Sequence, residues 1–92
     1  MDQINEVWVF NGANSRFPSA IFTNKKDAED WISKHILSGI LTLYPLNQSV
    51  YEWAVTNKYF APKSSKESSP EFIQKFSSAS QEHFHYENGK IA

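Results

Sequence analysis

The sequence predicts an α+β fold: a mainly antiparallel sheet of three or four strands packed against helices. Three observations carry that expectation. Val7-Trp8-Val9-Phe10 is a run of β-branched and aromatic residues closed by the turn pair Asn11-Gly12. After Asn24, the residues Ala28, Trp31, Ile32 and His35 or Ile36 recur at offsets of three and four, the apolar stripe of an amphipathic helix. Strand-like and helix-like segments then follow in the order strand, strand, helix, strand, helix, helix, strand, with no internal repeat.

Each element has a local reason. The unbroken apolar run at Val7–Phe10 fits a central strand or one covered on both faces. Gly12–Pro18 is too long for a two-residue hairpin, so a second strand at about Ser19–Phe22 pairs with the first across a wide loop. Thr23 or Asn24 caps the first helix, with Asp27 at its third position, and Gly39 is placed to end it in a left-handed turn. Ile40–Tyr44 reads as a third strand stopped by Pro45. Asn47 or Ser49 caps a second helix, and Ser49 with Glu52 has capping-box spacing. That helix carries Val50, Trp53 and Ala54 inward and ends near Asn57. Lys63–Ser69 has no apolar residue and reads as a flexible loop. Ser69-Pro70-Glu71 then opens a third helix with Phe72, Ile73 and Phe76 on its stripe. Period-two alternation over His83–Glu87, before Asn88-Gly89, predicts the last strand.

The 92 residues suit one domain spanning 1–92, and 14 aromatic rings supply much of its core. Nine basic and ten acidic residues leave a net charge of −1, and Arg16 is the sole arginine. Without a clustered basic stripe, a nucleic-acid partner is not expected. The absence of cysteine excludes disulfides and thiolate metal sites. The stretch Ile40–Leu46 is too short to span a membrane, and the acidic, polar Met1–Glu6 does not read as a secretory signal, so a cytoplasmic location is expected. No motif calls for a cofactor.

Three segments together resemble a known family. They are Trp8-Val9-Phe10-Asn11-Gly12-Ala13-Asn14-Ser15-Arg16-Phe17-Pro18-Ser19; Leu41-Thr42-Leu43-Tyr44-Pro45-Leu46 with Tyr51-Glu52-Trp53-Ala54; and Phe76 through Gly89, including Glu82-His83-Phe84-His85-Tyr86-Glu87. The family is a set of small bacterial domains of unknown function, and the resemblance runs from about Trp8 to Gly89. It implies a bacterial source and brings no catalytic residues.

Two segments carry candidate chemistry. In the Asn11–Pro18 loop, Asn and Gly tolerate positive φ, so successive N–H groups with Arg16 at the rim suit an anion such as a phosphate or carboxylate. Along the last strand, His83, His85 and Glu87 fall on one face, a donor set suited to zinc, although Phe84 and Tyr86 also explain the alternation as core-in, polar-out. Ser78 or Ser80 beside these histidines forms no recognisable nucleophile motif. The candidate ligand residues are therefore Asn14, Arg16, His83 and His85, with His83, His85 and Glu87 the less favoured metal set. Trp8, Trp31 and Trp53 are expected in the core. Tyr44, Tyr51, Tyr59 and Phe60 exceed what a small interior holds and favour a contact surface. The leading expectation is a non-catalytic interaction domain that binds a protein or self-associates through an edge strand or aromatic surface. The alternative is a small-ligand or anion-binding domain in which the loop and the histidine segment meet; a metal-dependent enzyme comes third.

Overall fold

A computed structural model describes residues 3–92; Met1 and Asp2, part of the polar stretch read against a secretory signal, lie outside the described residues. The chain runs β1 (Glu6–Gly12), β2 (Ala20–Phe22), α1 (Lys25–Lys34), β3 (Gly39–Pro45), α2 (Val50–Thr56), a 3₁₀ turn (Ser65–Ser68), α3 (Pro70–Gln74), β4 (His83–Glu87) and β5 (Lys90–Ile91). All five strands form one antiparallel sheet in the order β2-β1-β3-β4-β5. The architecture is thus α+β with three α-helices, and the sheet has five strands where three or four are expected.

That extra strand follows from the Asn88-Gly89 pair. Asn88 (φ 52°) and Gly89 (φ 86°) are both left-handed, the conformation of a two-residue type I′ hairpin. The chain therefore turns back at once, and Lys90 pairs with Glu87 and Ile91 with Tyr86.

The first helix begins as its residues dictate: Asn24 Oδ1 accepts the Asp27 N–H at 2.8 Å. It ends earlier than expected. Helical geometry stops at Lys34, and Ile36 (φ 56°) takes the left-handed position. The Leu37 N–H donates to the Ile32 carbonyl at 2.9 Å and the Ile36 N–H to the Ser33 carbonyl at 3.2 Å, the paired bonds of a Schellman motif. Gly39 instead opens β3, pairing with Gly12 and Tyr86. A Cβ there would sit 2.8 Å from Phe10 Cζ, so glycine at this position serves close strand approach, not helix termination. The second helix repeats the pattern, with the Ser49 hydroxyl as N-cap and Lys58 (φ 63°) in the left-handed turn after Asn57.

One face of the sheet is the core. Trp8, Phe10, Leu41 and Tyr86 pack with Ala28 and Ile32 of α1, and Ala20, Phe22, Trp31, Leu37, Leu43 and Phe84 close around them. Trp31 stands edge-on to Phe10 with ring centroids 5.4 Å apart. Beyond this core, Tyr51, Phe60, Phe72 and Phe76 form a second aromatic cluster with centroid separations of 5.0–6.3 Å. It joins α2 to α3. The Tyr51 hydroxyl donates to the Glu67 carbonyl at 2.8 Å, and the Glu67 carboxylate accepts the Lys63 N–H, so the serine-rich segment contains a tethered 3₁₀ turn.

Candidate functional site

The opposite face of the sheet is uncovered. Strand alternation puts Val7, Val9 and Asn11 of β1, Ile21 of β2, Ile40, Thr42 and Tyr44 of β3, and His83, His85 and Glu87 of β4 on it. The register sets Val9 between Ile21 and Thr42, Val7 beside Tyr44, and Asn11 beside Ile40. Ile21 is 66% exposed and Ile40 and Tyr44 each 37%, values that no packed layer would leave. The unbroken apolar run of β1 led to an expectation of a strand covered on both faces or placed centrally. Central placement is right, but α1 covers only the Trp8/Phe10 side.

This face is divided. Its β2-β1-β3 portion is apolar, and Val9, Asn11, Pro18, Ile21, Thr42 and Tyr44 line a shallow depression of about 360 Å³. Its β4-β5 portion is polar. The His83 and His85 rings lie 5.5 Å apart, and Glu87 faces Lys90 across the hairpin. The His83 Nδ1–H donates to the Gln81 carbonyl at 2.7 Å, which fixes that ring. Among the described residues, no group of three or more His, Asp or Glu side chains is gathered closely enough to hold a metal ion.

The two segments singled out in the sequence do meet, but not through all their residues. Asn14 shares a concavity of about 540 Å³ with Gly12, Ser38, His85, Glu87 and Ala92. Arg16 and His83 are not among the residues that line it. Asn14 has the positive φ (63°) expected of the loop. Part of the loop's hydrogen-bonding capacity is spent within the protein, however. The Ala13 N–H donates to the Ser38 carbonyl at 2.9 Å and the Ser15 N–H to the Gly12 carbonyl at 3.1 Å. Asn11 Nδ2 donates to the Ser15 carbonyl at 2.9 Å. These bonds shape the turn and occupy the Ala13 and Ser15 N–H groups. Ser78 is likewise engaged, its Oγ accepting the Ser80 N–H at 3.2 Å.

The aromatic residues divide between core and surface. Trp8 and Trp31 belong to the main core, whereas Trp53 packs on the exposed Tyr59 at a centroid distance of 5.2 Å. Tyr51 and Phe60 fill the second cluster, and Tyr44 lies on the open face. The residues that define this face, Val9, Ile21, Ile40 and Thr42, were not singled out by sequence reasoning. The alternate positions of β3 carried the only signal.

No helix among the described residues is long and apolar enough to cross a membrane. The model of a family described as a domain of unknown function, DUF7710, matches residues 7–92, and the chain belongs to that family. No curated protein and no solved structure matches the chain.

Proposed function

We propose that this member of the DUF7710 family is a non-catalytic interaction domain that binds a protein through the uncovered face of its sheet. The observation that carries the reading is the in-register apolar strip of Val7, Val9, Ile21, Ile40, Thr42 and Tyr44 on a face without a second layer. A sheet face of this kind is a preformed, rigid surface whose desolvation favours association. Its polar flank of His83, His85, Glu87 and Lys90 gives the strip the rim that interfaces commonly have. The sheet edges fit the role less well. β2 has three residues and β5 two, and short edges discourage strand addition.

A photoreactive benzoylphenylalanine in place of Ile21, introduced in cells that express the protein, tests this. Light-dependent adducts to a defined protein chain are expected at Ile21 and absent when the same group replaces Val55 of α2. A folded protein that gives no adduct at Ile21 or Tyr44 would remove the reading.

A second reading is favoured by the meeting of Asn14 with His85 and Glu87 in one concavity. There the domain holds a small polar ligand by side chains, with no cofactor and no anion nest. Titration with polar metabolite mixtures, followed by amide chemical shifts at Asn14 and His85, tests it. Shifts confined to these residues would support ligand binding.

A further inference from the structure

We propose that the occupant of the open sheet face is a second copy of this chain, docked apolar strip on apolar strip about a two-fold axis along β1. The proposal rests on the interaction reading above and names its partner.

Surface area is the first argument. The chain exposes 6878 Å², whereas a monomer of its mass is expected to expose about 5,500 Å². The excess over the whole molecule, about 1,400 Å², is larger than the ~800 Å² that each partner contributes to a stable interface. The shape agrees. The molecule is a slab of 45 × 37 × 18 Å, with a radius of gyration of 14.8 Å where a compact chain of this length has about 12 Å. A slab this thin buries surface most effectively by stacking on a broad face.

Charge is the second argument. The apolar strip carries no charged side chain, and the formal charges beside it, Glu87 and Lys90, stand opposite each other in register. Such a face selects no strongly charged partner and does not repel its own copy.

Shape complementarity is the third. With the axis along β1, the two copies of β1 lie one over the other and run in the same direction, and β2 of each copy lies over β3 of the other. Ile21 and Thr42 flank Val9 at the same level, so each Ile21 meets the other copy's Thr42. Ile21 is the most exposed apolar side chain of the strip, and Thr42 is a small residue between the larger Ile40 and Tyr44. A protrusion thus meets a dip, twice. β4 and β5 fall outside the overlap, which leaves His83 and His85 at the rim.

The test is sedimentation equilibrium of the full chain across the micromolar range, with near-UV circular dichroism to establish folding. The wild-type chain is expected to reach twice its monomer mass. Ile21→Glu places an unpaired charge in the interface at two symmetric points and should weaken association by about 100-fold. Thr42→Lys should do the same, and Val55→Glu should stay within about threefold of wild type. Mixing the Ile21→Glu and Thr42→Lys chains sets one carboxylate against one ammonium and leaves the other contact native, so the mixture should recover dimer mass. A wild-type chain that stays monomeric at high micromolar concentration overturns the proposal, even if crosslinks from Ile21 to another protein keep the interaction reading intact. A wild-type dimer that Ile21→Glu and Thr42→Lys leave unchanged, or a mixture that stays monomeric, overturns the docking geometry.

Discussion

The Tyr86 hydroxyl donates a 2.6 Å hydrogen bond to Glu29 Oε2, tying β4 to α1 across 57 positions of sequence. Lys25 completes the arrangement: its Nζ lies 3.7 Å from Glu29 Oε2 and 3.8 Å from the centroid of the Phe84 ring. A carboxylate on the helix thus accepts from a buried phenol on the sheet, while an ammonium one turn earlier covers the neighbouring ring. This orients α1 over one sheet face and leaves the other bare.

Tyr86→Phe removes the bond but keeps the ring in the core. A hydrogen bond to a charged group contributes roughly 1.5–3 kcal/mol, and Glu29 regains water here, so a loss of about 1–2 kcal/mol is expected. Thermal melts should show a fall of several degrees. Burial foremost, and then the Glu29 hydrogen bond, push the phenol's pKa well above its ordinary 10.0. Folding therefore holds Tyr86 protonated. Its stabilisation is complete below that ordinary value and is lost as the pH rises through the folded-state value, because the unfolded chain ionises first. Melts at pH 8 and pH 11 should show a larger alkaline loss for wild type than for Tyr86→Phe. Equal losses would remove the linkage.

Asn24 tests the start of the same helix. Its Oδ1 accepts the Asp27 N–H, and its Nδ2 donates to Asp27 Oδ2 at 3.0 Å. Asn24→Ala should cost about 1 kcal/mol. Asn24→Asp keeps the cap but sets two carboxylates together, so its stability should improve on acidification to pH 3–4 relative to wild type. Chemical denaturation at two pH values separates these outcomes.

Local chemistry was legible in the sequence wherever a few adjacent residues decide the outcome. The caps at Asn24, Ser49 and Ser69 and the turn at Asn88-Gly89 all follow from side chains within four positions. The ending of α1 was not legible, because the left-handed position holds an isoleucine and the nearby glycine is needed by a strand pairing. The candidate site was legible only in part. Period-two alternation puts His83 and His85 on one face, but which face the helices cover is a tertiary decision. Val7-Trp8-Val9-Phe10 is apolar on both sides and cannot report it. The Asn11 bond to Ser15 is local, but the Ala13 N–H is occupied by the carbonyl of Ser38, distant in sequence.

Gly39 provides a sharp test of the sheet register. A Cβ there would collide with the Asn11 carbonyl oxygen, sit 2.8 Å from Phe10 Cζ and lie 2.9 Å from Gly12 Cα. Phe10 is 2% exposed and has nowhere to retreat. Gly39→Ala should therefore cost about 3 kcal/mol, the upper range for overpacking, whereas Gly12→Ala, whose nearest neighbours lie at 3.9 Å, should cost far less. Urea denaturation of both variants checks the contrast, and equal midpoints would place β1 and β3 in a different register.

Ile36 makes the opposite prediction. It is β-branched, has φ 56° and is 66% exposed, so it bears left-handed strain while burying little surface. An L-residue in that conformation costs about 1–2 kcal/mol, and a glycine there loses roughly 0.5–1 kcal/mol through the greater freedom of the unfolded chain. The Schellman bonds from Leu37 and Ile36 use backbone N–H groups that glycine retains. Ile36→Gly should therefore stabilise the fold by about 0.5–1 kcal/mol, a rise of roughly 2–6 °C in Tm. The Ile36 backbone stands beside the Asn88-Gly89 turn, where a Cβ on Gly89 would come within 3.2 Å of Ile36 Cα. A lower melting temperature for Ile36→Gly would mean that this contact outweighs the backbone strain and that the isoleucine anchors the β4–β5 hairpin to the end of α1.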